Sequence, residues 1–289
     1  MNSNLKRLAM TFRRPILGIH NSSYGIIFDV LECMIQRTFC YATQDIRTAY
    51  KTIADILEDP KLKKLVLIAH SQGSIEAGMV LDWLYATLPR EDVAKIEVYT
   101  FGNASNHWNC PMWANGQRVI DHMEHYANEG DWVSQFGVLH FRPLAAPSRD
   151  TPHPRIGRVR TALGNLMKRT TGQMEGEKTE KNRFVGRLFL RAGPGHQLNQ
   201  HYLDNLFPMD RSLAKVVDDG VDMHMNKEID MKVFADDNIV MAKARNIITD
   251  GPNGQIVTAK IKEMSRLWEY RNGGVPADWV PLPEKTDTA

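Results

Sequence analysis

A chain of 289 residues, 43% hydrophobic and 24% charged, can bury a large core in one main domain. A formal charge of +2, with neither an RNA-binding signature nor zinc-finger spacing, gives no ground for a nucleic-acid partner. No apolar run approaches the ~20 residues that cross a bilayer. Three cysteines (Cys33, Cys40 and Cys110) without a CxxC, behind an N-terminus lacking the apolar stretch of a leader peptide, lead us to expect a reducing, cytoplasmic compartment.

In chain order the first predicted strand is Pro15 to His20. Helical patterns follow in "YGIIFDVLECMIQR" and "DIRTAYKTIADILEDP", the second stopped by Pro60. Lys64 to His70 is the next strand. Its core, Leu65 to Ala69, is aliphatic without interruption, which suits a strand buried on both faces of a parallel sheet. In "SIEAGMVLDWLYATLP", Ile75, Met79 with Val80, and Trp83 with Leu84 recur at helical spacing before Pro89. Further strands are read over Lys95 to Phe101, His122 to Ala127 and Gly186 to Arg191. The alternation predicts an α/β domain, a mostly parallel sheet with helices on both faces.

Residues 142 to 183 break the alternation, with ten Lys or Arg against four Asp or Glu and four prolines. We read 142–184 as a basic, lid-like insertion between two parts of one core, 1–141 and 185–275. Within it, "RIGRVRTALGNLMKR" sets Ile156, Val159, Leu163, Leu166 and Met167 on one stripe among basic residues, an amphipathic helix over 155–169 suited to peripheral membrane contact, to covering an apolar pocket, or to plain packing. Beyond the last strand, "SLAKVVDDGVDMHM" and "IVTAKIKEMSRLWEYRNGG" read as helices, with Leu267 and Trp268 as anchors. Residues 276–289 read as a disordered tail.

The chemistry is concentrated in "AHSQG", where a strand gives way to a helix at Ser71. The pattern is G-x-S-x-G with Ala69 in the first position, and small flanking residues suit a strained turn that holds a nucleophile close under the following helix. The competing reading is an ordinary helix-capping serine. A serine hydroxyl is a weak nucleophile, so it requires a histidine base and an orienting carboxylate. Asp131 follows a strand and is our choice for the acid, with Glu129 the alternative. Gly193, Pro194 and Gly195 mark a loop that presents His196 as the base; His201, at the start of a helix, is the alternative. The oxyanion donors expected are the N–H of Gln72 and that of Asn21 or Ser22 in "GIHNSSYG". His122 and His125 lie on opposite faces of a strand, poor geometry for a metal, and no cofactor is called for. Neither Cys33 nor Cys40 lies at a strand end, against a cysteine nucleophile.

The segments "PILGIHNSSYGIIFDVLECMIQR", "LVLIAHSQGS", "VYTFGNASNHW", "HYANEGDWVSQFGVLHF", "GHQLNQHYLDNLF" and "SRLWEYRNGG" together resemble a group of fungal α/β-hydrolase-fold proteins, distantly similar to lipases and other serine esterases. The resemblance covers most of residues 15 to 275. It implies an α/β-hydrolase fold, here with a reduced sheet of about five or six strands. It also implies a triad of Ser71, Asp131 and either His196 or His201, but no substrate; the leading expectation is hydrolysis, through an acyl-enzyme at Ser71, of a small-molecule, apolar ester such as a lipid, lactone or secondary-metabolite ester. The alternatives are a non-hydrolytic use of the same pocket, as a cyclase- or lyase-like enzyme or a ligand-binding protein, and a protein that docks on membranes. Oligomeric state is not legible.

Overall fold

A computed structural model describes residues 2–19, 26–39, 41–141, 183–218, 223–228 and 260–278. Asn21 and Ser22, the helix expected over 155–169 with nearly all of the insertion, and most of the 276–289 tail lie outside the described residues.

Four parallel strands make the sheet among the described residues, in the order β1 (Leu65–His70), β2 (Ile96–Phe101), β3 (Met123–Gly130) and β4 (Arg187–Pro194). Side chains alternate between two faces, as the strand period requires. Ile96 and Val98 of β2, Met123 and Ala127 of β3, and Leu188 of β4 point to one core. Helices α3 (Gln44–Leu57) and α4 (Gly73–Thr87) cover it with Ile46, Ile53, Leu57, Val80, Leu81 and Leu84. Tyr99, Phe101, Tyr126 and Phe189 point the other way, where α1 (Asn2–Phe12) brings Leu8 and Phe12 and the C-terminal region brings Leu267 and Trp268. On that face Phe101, Tyr126 and Phe189 stack across three strands, with ring centroids 5.1 Å apart at each step. The sheet is therefore covered on both sides, the arrangement that an alternating α/β pattern leads one to expect. Leu267 and Trp268 serve as the anchors expected of them, 0% and 3% exposed.

Two carboxylates are buried in the middle of this second face. Glu97 accepts from Arg266 Nε at 2.8 Å and from the hydroxyls of Tyr99 and Tyr270, with Lys64 Nζ 3.2 Å away. Burial acts to raise its pKa, but the charges of Arg266 and Lys64 and the Tyr270 bond outweigh it and hold Glu97 below the usual carboxylate range. Glu124 accepts the backbone N–H groups of Arg266 and Leu267 and so caps the short helix Arg266–Glu269 from a neighbouring strand. Burial dominates there and pushes its carboxyl up.

Four sequence expectations need correction. Residues 15–19 are not a strand: Ile16 packs against the core on the Tyr99 side of the sheet while Leu17 and Ile19 are 69% and 42% exposed, and the run pairs with none of the four strands of the described sheet. β1 is half-buried rather than enclosed, because it forms one edge of the described sheet. Residues 211–217 run as turns instead of a helix: Asp210 Oδ1 accepts the N–H groups of Ala214 and Lys215, its Oδ2 takes the Ser212 hydroxyl, and Leu213 turns with φ of +55°. An acidic side chain that bonds its own downstream backbone competes directly with the helix ladder. The last helical pattern is broken into Ile261–Met264, Arg266–Glu269 and the 3₁₀ turn Arg271–Gly273, the first break falling where the Ser265 hydroxyl caps the next segment. The helices α2 (Ile26–Phe39), α3 and α4 follow the expected spans closely. Among the described residues no helix is long and apolar enough to cross a membrane.

Candidate active site

Ser71 stands between β1 and α4 with φ of +58°, a left-handed conformation that costs a non-glycine residue about 1–3 kcal/mol. Its N–H still donates to Phe101 O, continuing the β1–β2 ladder, while its carbonyl accepts from Ser74 N–H in the first turn of α4. The turn is thus held from both sides and the side chain stands clear of each. Its hydroxyl does not cap α4; Oγ lies 2.8 Å from His196 Nε2.

The other ring nitrogen, His196 Nδ1, lies 2.9 Å from Asp131 Oδ2. Asp131 follows β3 directly after an irregularity between Asn128 and Gly130, the kind of bulge that re-aims a side chain at the end of a strand. It is 1% exposed and accepts from Val133 N–H at Oδ1 (2.9 Å), and from Ser134 Oγ (3.1 Å) and Tyr202 Oη (2.6 Å) at Oδ2. Burial alone would favour the acid form. The hydrogen bonds from His196, Tyr202 and Val133 outweigh it and hold Asp131 ionised below its ordinary range. An ionised carboxylate only accepts, so His196 carries its proton on Nδ1 and offers Nε2 as acceptor to the Ser71 hydroxyl. Asp131 also serves as the N-cap of α5 (Trp132–Phe136), so one carboxylate both caps a helix and joins this chain. Glu129 contributes a backbone carbonyl to Gln135 and no bond to the cluster.

The loop that carries His196 follows β4. His70 Nε2 lies 2.7 Å from the His196 carbonyl, which can only accept, so His70 is protonated on Nε2; its ring stacks on that of His196 with centroids 4.7 Å apart. Burial, then the neighbouring His196, lowers the His70 pKa to about 4 and keeps it neutral. Asn128 Nδ2 donates to the carbonyls of Gly195 and His201. His201 does not reach Ser71: its Nδ1 accepts Gln197 N–H at 3.0 Å, and its ring lies where a Cβ on Gly195 would stand. Between the two sequence candidates, only His196 joins serine to carboxylate.

Gln72 N–H makes no hydrogen bond among the described residues, as an oxyanion donor requires. Its side chain donates to Gln36 of α2, which in turn donates to Glu32. One turn along α4, burial and the charges of Asp45 and Glu32 push the Glu76 carboxyl up to about 7, which leaves the positive end of the helix less cancelled near Ser71. The tightness expected beside Ser71 is not found at Gly73, where a Cβ would meet nothing within 4 Å. It is found at Gly102, which the sequence did not single out. Gly102 has φ of +56°, and a Cβ there would lie 2.9 Å from Asp131 Oδ2 and 3.0 Å from the His196 ring. Gly102→Ala is expected to displace the His196–Asp131 pair and to slow reaction of Ser71 with an activated phosphonate by about 10²-fold or more, measured as a labelling rate.

Sequence reading also missed Tyr202 and Ser134. Nothing local marks Tyr202, whose part in the site is its bond to Asp131, 71 residues earlier in the chain. Cys33 lies half-buried on α2 against Ile75, Ala104 and Val133, and Cys110 behind α4; Cys40 lies outside the described residues. Among the described residues no group of three or more His, Cys, Asp or Glu could hold a metal ion. Comparison with protein-family models, with curated proteins and with solved structures finds no match to this chain.

Proposed function

We propose that the chain is a serine hydrolase of the α/β-hydrolase fold that cleaves a carboxylic ester. One observation carries the reading: an unbroken hydrogen-bond chain from Ser71 Oγ through His196 to buried Asp131, at 2.8 and 2.9 Å, on a serine held at positive φ. The chain order Ser, Asp, His and the strand–turn–helix setting of Ser71 support the fold assignment.

In this reading Ser71 Oγ attacks the acyl carbon as its proton passes to His196 Nε2. Asp131 stabilises the imidazolium that forms and stays ionised throughout. The oxyanion is met by Gln72 N–H at the N-terminus of α4. Collapse breaks the ester C–O bond, and His196 returns the proton to the departing alcohol. A water molecule then attacks the acyl carbon, losing its proton to the same Nε2, and the bond from that carbon to Ser71 Oγ breaks as the proton passes back to Oγ, releasing the acid.

Labelling with a fluorophosphonate followed by peptide mapping tests this directly, without assuming a substrate. Modification confined to the Ser71 peptide is expected, and a folded, unlabelled protein would favour a non-hydrolytic use of the pocket. The two histidines separate in the same assay. His196→Ala is expected to lose labelling almost entirely, whereas His201→Ala, which removes only a loop bond, keeps at least about a tenth of the rate. The reverse order would move the base into the helix.

A further inference from the structure

Asp131 Oδ2 carries more donors than a carboxylate needs in order to orient a histidine. His196 Nδ1 lies at 2.9 Å, Ser134 Oγ at 3.1 Å and Tyr202 Oη at 2.6 Å, the last the shortest of the three. Tyr202 is 2% exposed, and its ring meets His70 and Phe101 edge-on, with centroids at 6.2 and 5.8 Å. Its hydroxyl also accepts Asn128 N–H at 3.3 Å. Burial and the adjacent Asp131 charge keep the phenol protonated, so Tyr202 is a fixed donor to Oδ2.

The segment that supplies this hydroxyl also supplies the base. Residues Leu198–Leu203 form a π-helix, a rare geometry concentrated at functional sites, which begins two residues after His196. The histidine loop is therefore tied twice to one oxygen atom, once by an imidazole and once by a phenol. We propose that Tyr202 is a positioning residue that shares Asp131 Oδ2 with His196, fixing the carboxylate plane and setting the strength of the Asp131–His196 hydrogen bond. Each donor draws charge from the oxygen and weakens what the others receive. Removing the phenol makes Oδ2 a stronger acceptor for Nδ1–H and favours the imidazolium, while leaving the carboxylate freer to turn.

The kinetic consequence rests on the serine-hydrolase reading; the hydrogen-bond consequence does not. The groups that face the pair are His70 from the elbow, Ser134 from α5, and Tyr202, with Arg191 of β4 near the phenol. His70 stays neutral down to about pH 4, below the range in which the acid limb of a hydrolase is read.

The test compares wild-type protein with Tyr202→Phe and Ser134→Ala by two measurements: the pH profile of kcat/KM for a p-nitrophenyl ester, and the low-field proton resonance of His196 Nδ1–H in protein labelled with ¹⁵N-histidine. In Tyr202→Phe the acid limb is expected to rise by roughly half a unit to one unit, with kcat/KM near neutrality about tenfold lower and the resonance displaced downfield. Ser134→Ala is expected to move both in the same direction by less, and it carries the test if Tyr202→Phe fails to fold. Folded variants with limb and resonance unchanged would overturn the proposal while leaving the hydrolase reading intact. A wild-type protein that neither labels nor hydrolyses, yet whose resonance moves in Tyr202→Phe, would sink the hydrolase reading and uphold the role of Tyr202.

Discussion

Ser71→Ala is expected to lower turnover of short p-nitrophenyl esters by on the order of 10⁴-fold or more while leaving the fold intact. Among the described residues the hydroxyl has one partner, the part-exposed His196, so its removal orphans no buried group there, and the backbone bonds of the turn to Phe101 and Ser74 remain. What persists should be the slow background supported by Gln72 N–H and the helix end behind it. Thermal unfolding and steady-state hydrolysis measured on the same sample decide the matter, and undiminished hydrolysis by the folded variant would remove Ser71 from the chemistry altogether.

The second large effect concerns stability. Arg266→Met keeps most of the side-chain volume but takes the guanidinium from Glu97, leaving a fully buried carboxylate with Lys64 as its nearest cation. Breaking one side of a buried pair costs about 3–5 kcal/mol, readable as a shift in the urea midpoint at neutral pH. The pH dependence has a definite sign. In the wild type Glu97 is held below its ordinary value, so its contribution is present at neutral pH and lost as pH falls through the folded value. Without Arg266, burial raises it, and the stability it then contributes is present only at low pH and lost as pH rises. The deficit of the variant should therefore be largest near pH 7 and shrink towards pH 4. Adding Glu97→Gln should recover part of it, and a deficit that does not vary with pH would show that lost packing, not charge, is responsible.

Ser71, Asp131 and His196 were legible because each lies where periodicity changes: an aliphatic strand into a helix, the end of a strand, a Gly-Pro-Gly loop. Such junctions leave a local imprint. Gly102 and Tyr202 leave none, because what makes them matter is contact with residues far off in the chain, Asp131 and His196 for Gly102 and Asp131 for Tyr202. The buried carboxylates of β2 and β3 were hidden for a related reason. Nothing near Glu97 or Glu124 in the chain marks them as buried, since the cation and the N–H groups that satisfy them come from residues 266 and 267. At residues 211–217 the sequence misled in the opposite way, since apolar spacing suggested a helix that the side chain of Asp210 forestalls by bonding its own backbone.

The order of the strands bears on synthesis. Among the described residues each of β2, β3 and β4 pairs with the strand before it in the chain, so a chain leaving the ribosome can extend this sheet at one edge without waiting for distant sequence. The exception is the second face, where Glu97 and Glu124 meet Arg266 only after a further 169 and 142 residues have been translated. Until then two carboxylates on the central strands must stay hydrated, and water cannot leave that side of the sheet. A nascent chain stalled before Arg266 should accordingly carry a formed sheet with one wet face, open to proteases and chaperones, and release from that state would coincide with delivery of the short segment from Arg266 to Tyr270.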